Sequence, residues 1–380
     1  MDTDLRHLAQ CSRGLEDVLA AELRRLGTDD VDPVPGGALF KADRAQACRV
    51  VLWVRSAARV LEPVTTGEIL DFEDLYDLVA RIRWEDLIGA ERTFAVHASV
   101  SRAPITDHQF AALKVKDAVA DRIRSRRGRR PNVDRKSPDV PLRLVVRGSR
   151  AHIFRDLAGS SLHRRGHRPI QVKSPLSEAV AAGLLQLAGW DQASPILDPM
   201  CGSGTFLFEA ASMALDRAPG LHRRFAAERF PDADPEVWRE LRQEARERAR
   251  DSLPFPILGS DSHAGAVGIA QKVAEDAGMG DVVRFQVADA AVFEPPFVPQ
   301  IVASNPPWGG RLSGGEDLSS SWRSLGTFLR RCPGAAAYIL SGDPGLTRHL
   351  GLRSSRRWPI RIGRFDARWL QYELRSERDR

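Results

Sequence analysis

Asp198-Pro199-Met200-Cys201-Gly202-Ser203-Gly204-Thr205 is the stretch of this chain best built to cradle a small charged ligand. It follows the apolar residues Ile196-Leu197 and leads into the helical run Phe206 to Leu215, so it reads as strand, glycine turn and helix N-terminus. Glycine lets backbone approach a ligand with no Cβ in the way, and the first N–H groups of a helix point outward unpartnered. A carboxylate or a phosphate would suit such a place. Spacing decides: Gly202 and Gly204 do not complete Gly-x-Gly-x-x-Gly, and no Gly-Lys-Ser/Thr ends the loop, which weakens the dinucleotide and P-loop readings. Asp198 at the strand end suits instead the α-amino group of a zwitterionic amino-acid cofactor, and S-adenosyl-L-methionine is one. Asp261, in Gly259-Ser260-Asp261, ends the next strand and would accept ribose hydroxyls. Asp289 ends the one after and would approach the adenine amine. Each alone is an ordinary cap or turn residue; the order of the three is the signal.

A second loop, Ser304-Asn305-Pro306-Pro307-Trp308-Gly309-Gly310-Arg311, follows the strand Ile301-Val302-Ala303, at the edge where open α/β sheets gather ligands. Two prolines remove backbone donors and stiffen the turn, leaving carbonyl oxygens and the Asn305 amide oxygen as acceptors. An exocyclic amine on a base is a poor nucleophile because its lone pair is delocalised into the ring. Acceptors on both N–H bonds would draw the nitrogen toward sp³ geometry and aim its lone pair at the methyl group. Trp308 would stack on the extruded base, a contact of about 1–3 kcal/mol. Asn305, Pro306, Pro307 and Trp308 are therefore the catalytic candidates, with Asn305 also close to the cofactor.

The elements that must position these loops follow from periodicity. After Lys173, Ile196-Leu197, Ile257-Leu258, Val283 to Val287, Ile301 to Ala303 and Ala336 to Leu340 alternate with helical stretches, which calls for a doubly wound parallel sheet. Arg357 to Phe365 and Ala367 to Leu374 read as an edge-closing hairpin turning at Phe365-Asp366. Before the junction Ser161-Leu162-His163-Arg164-Arg165-Gly166-His167-Arg168-Pro169, the pattern is different. A small α/β module has a strand at Arg6 to Gln10 and helices at Gly14 to Leu26 and Ala42 to Trp53. A helical stretch from Asp71 to Ile88, a strand at Thr93 to Val100, a helix at Asp107 to Arg127 and strands at Leu142 to Val146 and Ala151 to Phe154 complete that half. The expected division is 1–60, 61–165 and 166–380.

The helix ending near Arg127 has a basic polar face that continues past Gly128 and Pro131. Cations near a helix C-terminus need no ligand, but the run extends into the loop, so Lys114, Lys116, Arg126, Arg127 and Arg130, with Arg164 and Arg165 of the junction, are read as phosphate contacts. The net charge of +6 agrees with a polyanionic partner without proving one, because arginine is abundant throughout. Cys11, Cys48, Cys201 and Cys332 lie far apart with no CxxC pair, so a zinc site, a disulfide frame and any other metal centre are not expected. The acidic start Met1-Asp2-Thr3-Asp4 is no secretory signal, and apolar runs are too short to span a bilayer. A cytoplasmic location without membrane contact is expected.

Three stretches resemble the THUMP-domain-containing class I RNA guanine-N2 methyltransferases, and closely the bacterial branch acting on large-subunit ribosomal RNA. They are Leu197 to Thr205, Ser304 to Leu312 and Ser161 to Arg168; Lys114 to Ala118 and Arg130 to Asp134 also look like the family's THUMP segment. The resemblance implies an α/β protein: a ferredoxin-like piece, a THUMP fold gripping an RNA end or stem by shape, then a Rossmann-like catalytic domain. It further implies cofactor contacts from 198 to 205, Asp261 and Asp289, with Asn305 to Trp308 holding a guanine amine. The family commonly has Tyr where Trp308 stands, Glu where Gly310 stands and Tyr where His167 stands; an indole keeps the stacking face. Longer members fuse a second methyltransferase domain, which these 380 residues are not expected to contain.

The resulting expectation is methyl transfer from S-adenosyl-L-methionine to guanine N2 in structured RNA, ribosomal first and tRNA second. A C5-pyrimidine mechanism lacks its nucleophilic thiol. DNA amino-methyl transfer and an RNA-binding assembly factor without catalysis are the alternatives. Oligomeric state is open.

Overall fold

The structure, a computed structural model, describes residues 5–165, 176–308 and 318–375. Gly166, His167, Arg168, Gly309, Gly310, Arg311 and Leu312 lie outside the described residues.

The first half runs β1 (His7–Gln10), α1 (Glu16–Arg25), β2 (Asp29–Val34), β3 (Gly37–Lys41), α2 (Arg44–Trp53), β4 (Arg59–Glu68), α3 (Phe72–Ala80), α4 (Trp84–Leu87), β5 (Phe94–Ser101), α5 (His108–Arg127), β6 (Val140–Arg147) and β7 (Arg150–Asp156). Local chemistry sets the ends: Asp43 and Gln46 form a capping box on α2, Asp107 caps α5, and Gly128, at φ 75°, stops α5 in the left-handed conformation. All seven strands join one sheet in the order β2-β3-β1-β4-β7-β6-β5. β4 pairs with β1 through Leu8 and Leu61 and with β7 on its other side, so the boundary expected at residue 60 falls inside a shared strand.

The second half runs α6 (Glu178–Leu187), β8 (Ile196–Asp198), α7 (Thr205–Ala214), α8 (Pro235–Arg248), β9 (Ile257–Asp261), α9 (Ala264–Asp276), β10 (Val283–Val287), β11 (Ile301–Ser304), α10 (Ser319–Arg330), β12 (Ala336–Ser341), α11 (Pro344–Thr347), β13 (Arg356–Ile362) and β14 (Phe365–Glu373). The sheet order is β10-β9-β8-β11-β12-β14-β13, with β8 to β12 parallel and β14 antiparallel to β12. β8 and β11 are buried at every residue, as central strands covered on both faces must be.

Sequence reading missed several elements. β2 carries three aspartates and a proline, with only Val31 buried, so no alternation marks this edge strand. The stretch expected as one helix from 71 to 88 breaks between α3 and α4. The terminal hairpin turns at Gly363, φ 57°, and Arg364, with Phe365 already paired to Ile362, rather than at Phe365-Asp366.

Residues 216–250, grouped by sequence with the second half, pack into the first half's core through Phe225, Phe230, Trp238 and Leu241. Buried arginines tie the halves together. Arg55 donates to Ser212 Oγ at 2.9 Å and the Arg217 carbonyl at 2.6 Å, and Arg155 bonds Glu62 at 2.7 Å and both Asp232 oxygens at 3.0 Å.

Candidate active site

The C-terminal ends of β8, β9, β10 and β11 open into one cavity of about 610 Å³, a volume suited to a cofactor-sized ligand. Asp198, Pro199, Cys201, Gly202, Ser203, Thr205, Asp261, Asp289, Asn305, Pro306, Pro307 and Trp308 all line it. Gly204 does not. It starts α7 at φ 80°, and a Cβ there would come within 2.8 Å of Phe285, so both backbone and packing require glycine.

Asp198 is fully buried at the end of β8. Ser304, the last residue of β11, donates its hydroxyl to Asp198 Oδ1 at 2.6 Å, and Met200 N–H donates to the same oxygen at 3.1 Å. Burial nevertheless raises the Asp198 pKa to about 7, with Asp261 adding like-charge repulsion. A cationic group entering the cavity would relieve both. Asp261 receives Gly202 N–H at 2.8 Å on one oxygen and His263 N–H at 2.9 Å on the other, so it shapes the glycine loop and keeps lone pairs for further donors. Asp289 sits exposed at the rim, holding Ala291 N–H at 2.7 Å.

The proline turn is clamped from three sides. Trp308 donates its indole N–H to Asn305 Oδ1 at 2.8 Å, and Trp322 of α10 donates to the Pro307 carbonyl at 2.9 Å. Phe365 meets the Trp308 ring edge-on at 6.0 Å. Trp308 is only 9% exposed. The Pro307 carbonyl, expected among the free acceptors, is thus engaged by Trp322, and one lone pair of Asn305 Oδ1 is taken.

The cations divide. Lys114 pairs with Glu73, Lys116 with Asp117 at 3.0 Å, and Arg130 with Asp121 at 3.5 Å, all at the surface where such pairs exchange readily. Arg126, Arg127 and Arg164 are exposed. Lys116 and Arg135 also line a groove of about 390 Å³ with His97 and His108, between β5 and α5. Arg165 corrects the expectation: it is 3% exposed, and its guanidinium bonds both Glu209 oxygens at 3.0 Å and the Arg55 and Leu162 carbonyls. It is a strut against α7, closed to phosphate.

Sequence reasoning gave no role to Ser304 or Trp322, nor to Leu318, Ser320, Ser321 and Ser324, which bring α10 onto the cavity. The helical spacing of Trp322, Leu325, Phe328 and Leu329, all buried, was the available signal for α10. The four cysteines form no disulfide. Burial raises every thiol, Cys332 to about 11, Cys48 to about 12, and Cys201 in the loop well above its usual value. None is poised as a thiolate nucleophile. Among the described residues no helix is long and apolar enough to cross a membrane.

The RMKL-like methyltransferase domain matches residues 165–371, more than half of the chain. The chain belongs to the RMKL-like methyltransferase family. The THUMP domain matches residues 70–156 and the RlmL ferredoxin-like domain residues 6–61, so the resemblance carried by the sequence motifs holds. The slr0064 protein of Synechocystis sp., named as an RNA methyltransferase, is 36% identical over 97% of this chain and 96% of its own. The ribosomal RNA large subunit methyltransferase K/L of Syntrophotalea carbinolica is 37% identical over 100% of this chain but 55% of its own length. This chain therefore spans about half of that longer relative. The crystal structure of SMU.472 complexed with SAH superposes with a TM-score of 0.89 at 27% identity, covering 98% of both chains. A structure described as a predicted N6-adenine-specific DNA methylase from Listeria monocytogenes superposes at 0.87 with 29% identity, covering 97% of this chain and 96% of the other.

Proposed function

We propose that this RMKL-like enzyme transfers the methyl group of S-adenosyl-L-methionine to N2 of a guanine in structured RNA, with large-subunit ribosomal RNA favoured over tRNA. The observation that carries this reading is the convergence of Asp198, Asp261 and Asp289 with Asn305 to Trp308 on one cavity. The donor set fits the cofactor: a buried carboxylate whose charge is unsatisfied suits an ammonium, a loop-bound carboxylate suits ribose hydroxyls, and a rim carboxylate suits the adenine amine. When bound, the cofactor would supply a sulfonium methyl group: the N–C bond would form as the S–C bond breaks, S-adenosylhomocysteine would be left, and the surplus proton of the methylated amine would pass to solvent.

The chain's own residues prepare the acceptor. The second lone pair of Asn305 Oδ1 and the Pro306 carbonyl accept the two N–H bonds of the exocyclic amine, withdrawing its lone pair from ring conjugation. The indole surface of Trp308 turned to the cavity receives the flipped base. Asp198 would balance the cofactor ammonium, and Ser304, donating to Asp198 Oδ1, holds that carboxylate in register with the turn.

RNA rather than DNA is supported by the THUMP match and by the basic end of α5 with Arg126, Arg127, Arg130 and the groove at Lys116. Adenine amino-methyl transfer is the second reading, because a proline-proline-aromatic turn serves any exocyclic amine and the Listeria relative carries that description. Mass mapping of modified nucleosides in ribosomal and transfer RNA from a strain lacking the gene separates them. Loss of one N2-methylguanosine is expected; unchanged guanines beside a missing methyladenosine would overturn the base assignment.

A further inference from the structure

Trp308 owes its place to a residue distant in sequence. Gly342, immediately after β12, lies under the benzo side of the indole. A Cβ built there would stand 2.2 Å from Cε3, 2.4 Å from Cζ3 and 3.0 Å from Cδ2 of Trp308. The Gly342 backbone is not in the left-handed region, so its conformation does not require glycine; the indole does. Neither side yields easily. Ser341 Oγ accepts Asp343 N–H at 3.2 Å and donates to the Asp343 carbonyl at 2.9 Å, while Asp343 caps α11 through Gly345 N–H at 2.6 Å. On the other side the indole is held by Asn305 and Phe365, and the turn by Trp322.

We propose that Gly342 is a positioning residue for methyl transfer: its missing side chain lets the Trp308 indole sink far enough to hold Asn305 in reach of the acceptor amine. The proposal rests on the methyltransfer reading above. A side chain at 342 would lift the indole by more than an ångström, and through the 2.8 Å bond it would carry the Asn305 amide with it. Misplacement on that scale costs roughly 100-fold in rate. The same close contact makes the site selective for which aromatic follows Pro307. The atoms that meet Gly342 most closely, Cε3 and Cζ3, belong to the indole's second ring, which tyrosine lacks.

The test is a cycle of Gly342→Ala, Trp308→Tyr and the double variant, assayed for total transfer of labelled methyl to RNA, for binding of S-adenosylhomocysteine, and for thermal unfolding. Gly342→Ala is expected to lower kcat roughly 100-fold while affinity for the cofactor product changes less than about threefold. In the Trp308→Tyr background the same change should lower kcat less than about threefold, because the clashing atoms are gone. Equal losses in both backgrounds, or a Gly342→Ala enzyme with wild-type kcat, would overturn the proposal. A Gly342→Ala protein too unstable to assay leaves the cycle readable in the double variant, which should fold and retain the activity of Trp308→Tyr; a double variant as unstable as the single one would also overturn it. Total transfer is independent of base identity, so a wrong base leaves the coupling intact, whereas a wild-type enzyme inactive on RNA sinks the functional reading while the unfolding cycle still reads the contact.

Discussion

Trp308 donates its indole N–H to Asn305 Oδ1 at 2.8 Å, which makes the aromatic ring and the amide of the proline turn one unit. An indole nitrogen only donates, so the amide atom facing it must be oxygen, and the orientation of Asn305 is fixed by that chemistry. One lone pair of the oxygen is spent on the ring; the other is left for a further donor.

Asn305→Ala should separate binding from chemistry. On the proposed function its contact is to the acceptor amine, so affinity for S-adenosylhomocysteine is expected to stay within about threefold while kcat falls by orders of magnitude. Isothermal titration beside single-turnover methyl transfer reads both. An equal loss of cofactor affinity would assign the amide to the cofactor instead.

Trp308→Phe keeps an apolar ring but removes the donor, releasing the amide to rotate. A loss of about one neutral hydrogen bond, roughly tenfold in kcat, is expected. Trp308→Ala should lose considerably more, because the proposed base stacking goes too. If Phe and Ala variants were equally impaired, the hydrogen bond rather than the ring face would carry the effect.

The Asp198 carboxyl, raised to about 7 by burial, predicts a pH dependence. The ionised form is the one that accepts an ammonium, so affinity for S-adenosylhomocysteine should rise with pH through about 7. In the cofactor-free protein the sign is opposite for stability: the folded state keeps a proton that the unfolded chain releases, so this group's contribution declines as pH rises from about 4 to about 7. Ser304→Ala removes a hydroxyl that favours the carboxylate and should move the affinity midpoint upward. The ligand's own amine titrates identically with both proteins, so the difference between them isolates Asp198. Superimposable affinity profiles would remove Asp198 from cofactor binding.

Arg164 and Arg165 should behave as opposites although adjacent. Arg164 is exposed, and Arg164→Ala is expected to weaken RNA binding and reduce the salt slope by about one, as should Arg126→Ala or Arg127→Ala. Arg165→Ala removes the hydrogen-bonded ion partner of buried Glu209, a loss of about 3–5 kcal/mol in unfolding free energy. Denaturation and RNA titration at several salt concentrations check both. Arg165→Ala protein of normal stability with weakened RNA binding would restore the phosphate role.

The candidate site was legible where its signal is local. An apolar strand followed by a carboxylate, or by Asn-Pro-Pro-Trp, names a residue at a sheet edge. Parallel pairing of β8 with β9 and β11 then brings those edges together. What stayed hidden depends on partners far along the chain. Arg165 looks like its exposed neighbour until Glu209, on the inner face of α7, is placed against it. Ser304 reads as a strand residue until β8 delivers Asp198 beside it, and Gly342 is an unremarked glycine until Trp308 lies on it. Likewise β2 lacks alternation because an edge strand buries little, and the segment from 216 to 250 lies between cavity-lining elements in sequence while its apolar residues serve the other core.

The measurement that bears most directly on the account is the identity of the nucleoside that gains a methyl group. Purified protein, labelled S-adenosyl-L-methionine and undermodified ribosomal RNA, digested to nucleosides and separated by mass, should yield label in N2-methylguanosine, with none from Asn305→Ala. Label in N6-methyladenosine or a C5-methylpyrimidine, or an Asn305→Ala enzyme as active as the parent, would contradict it.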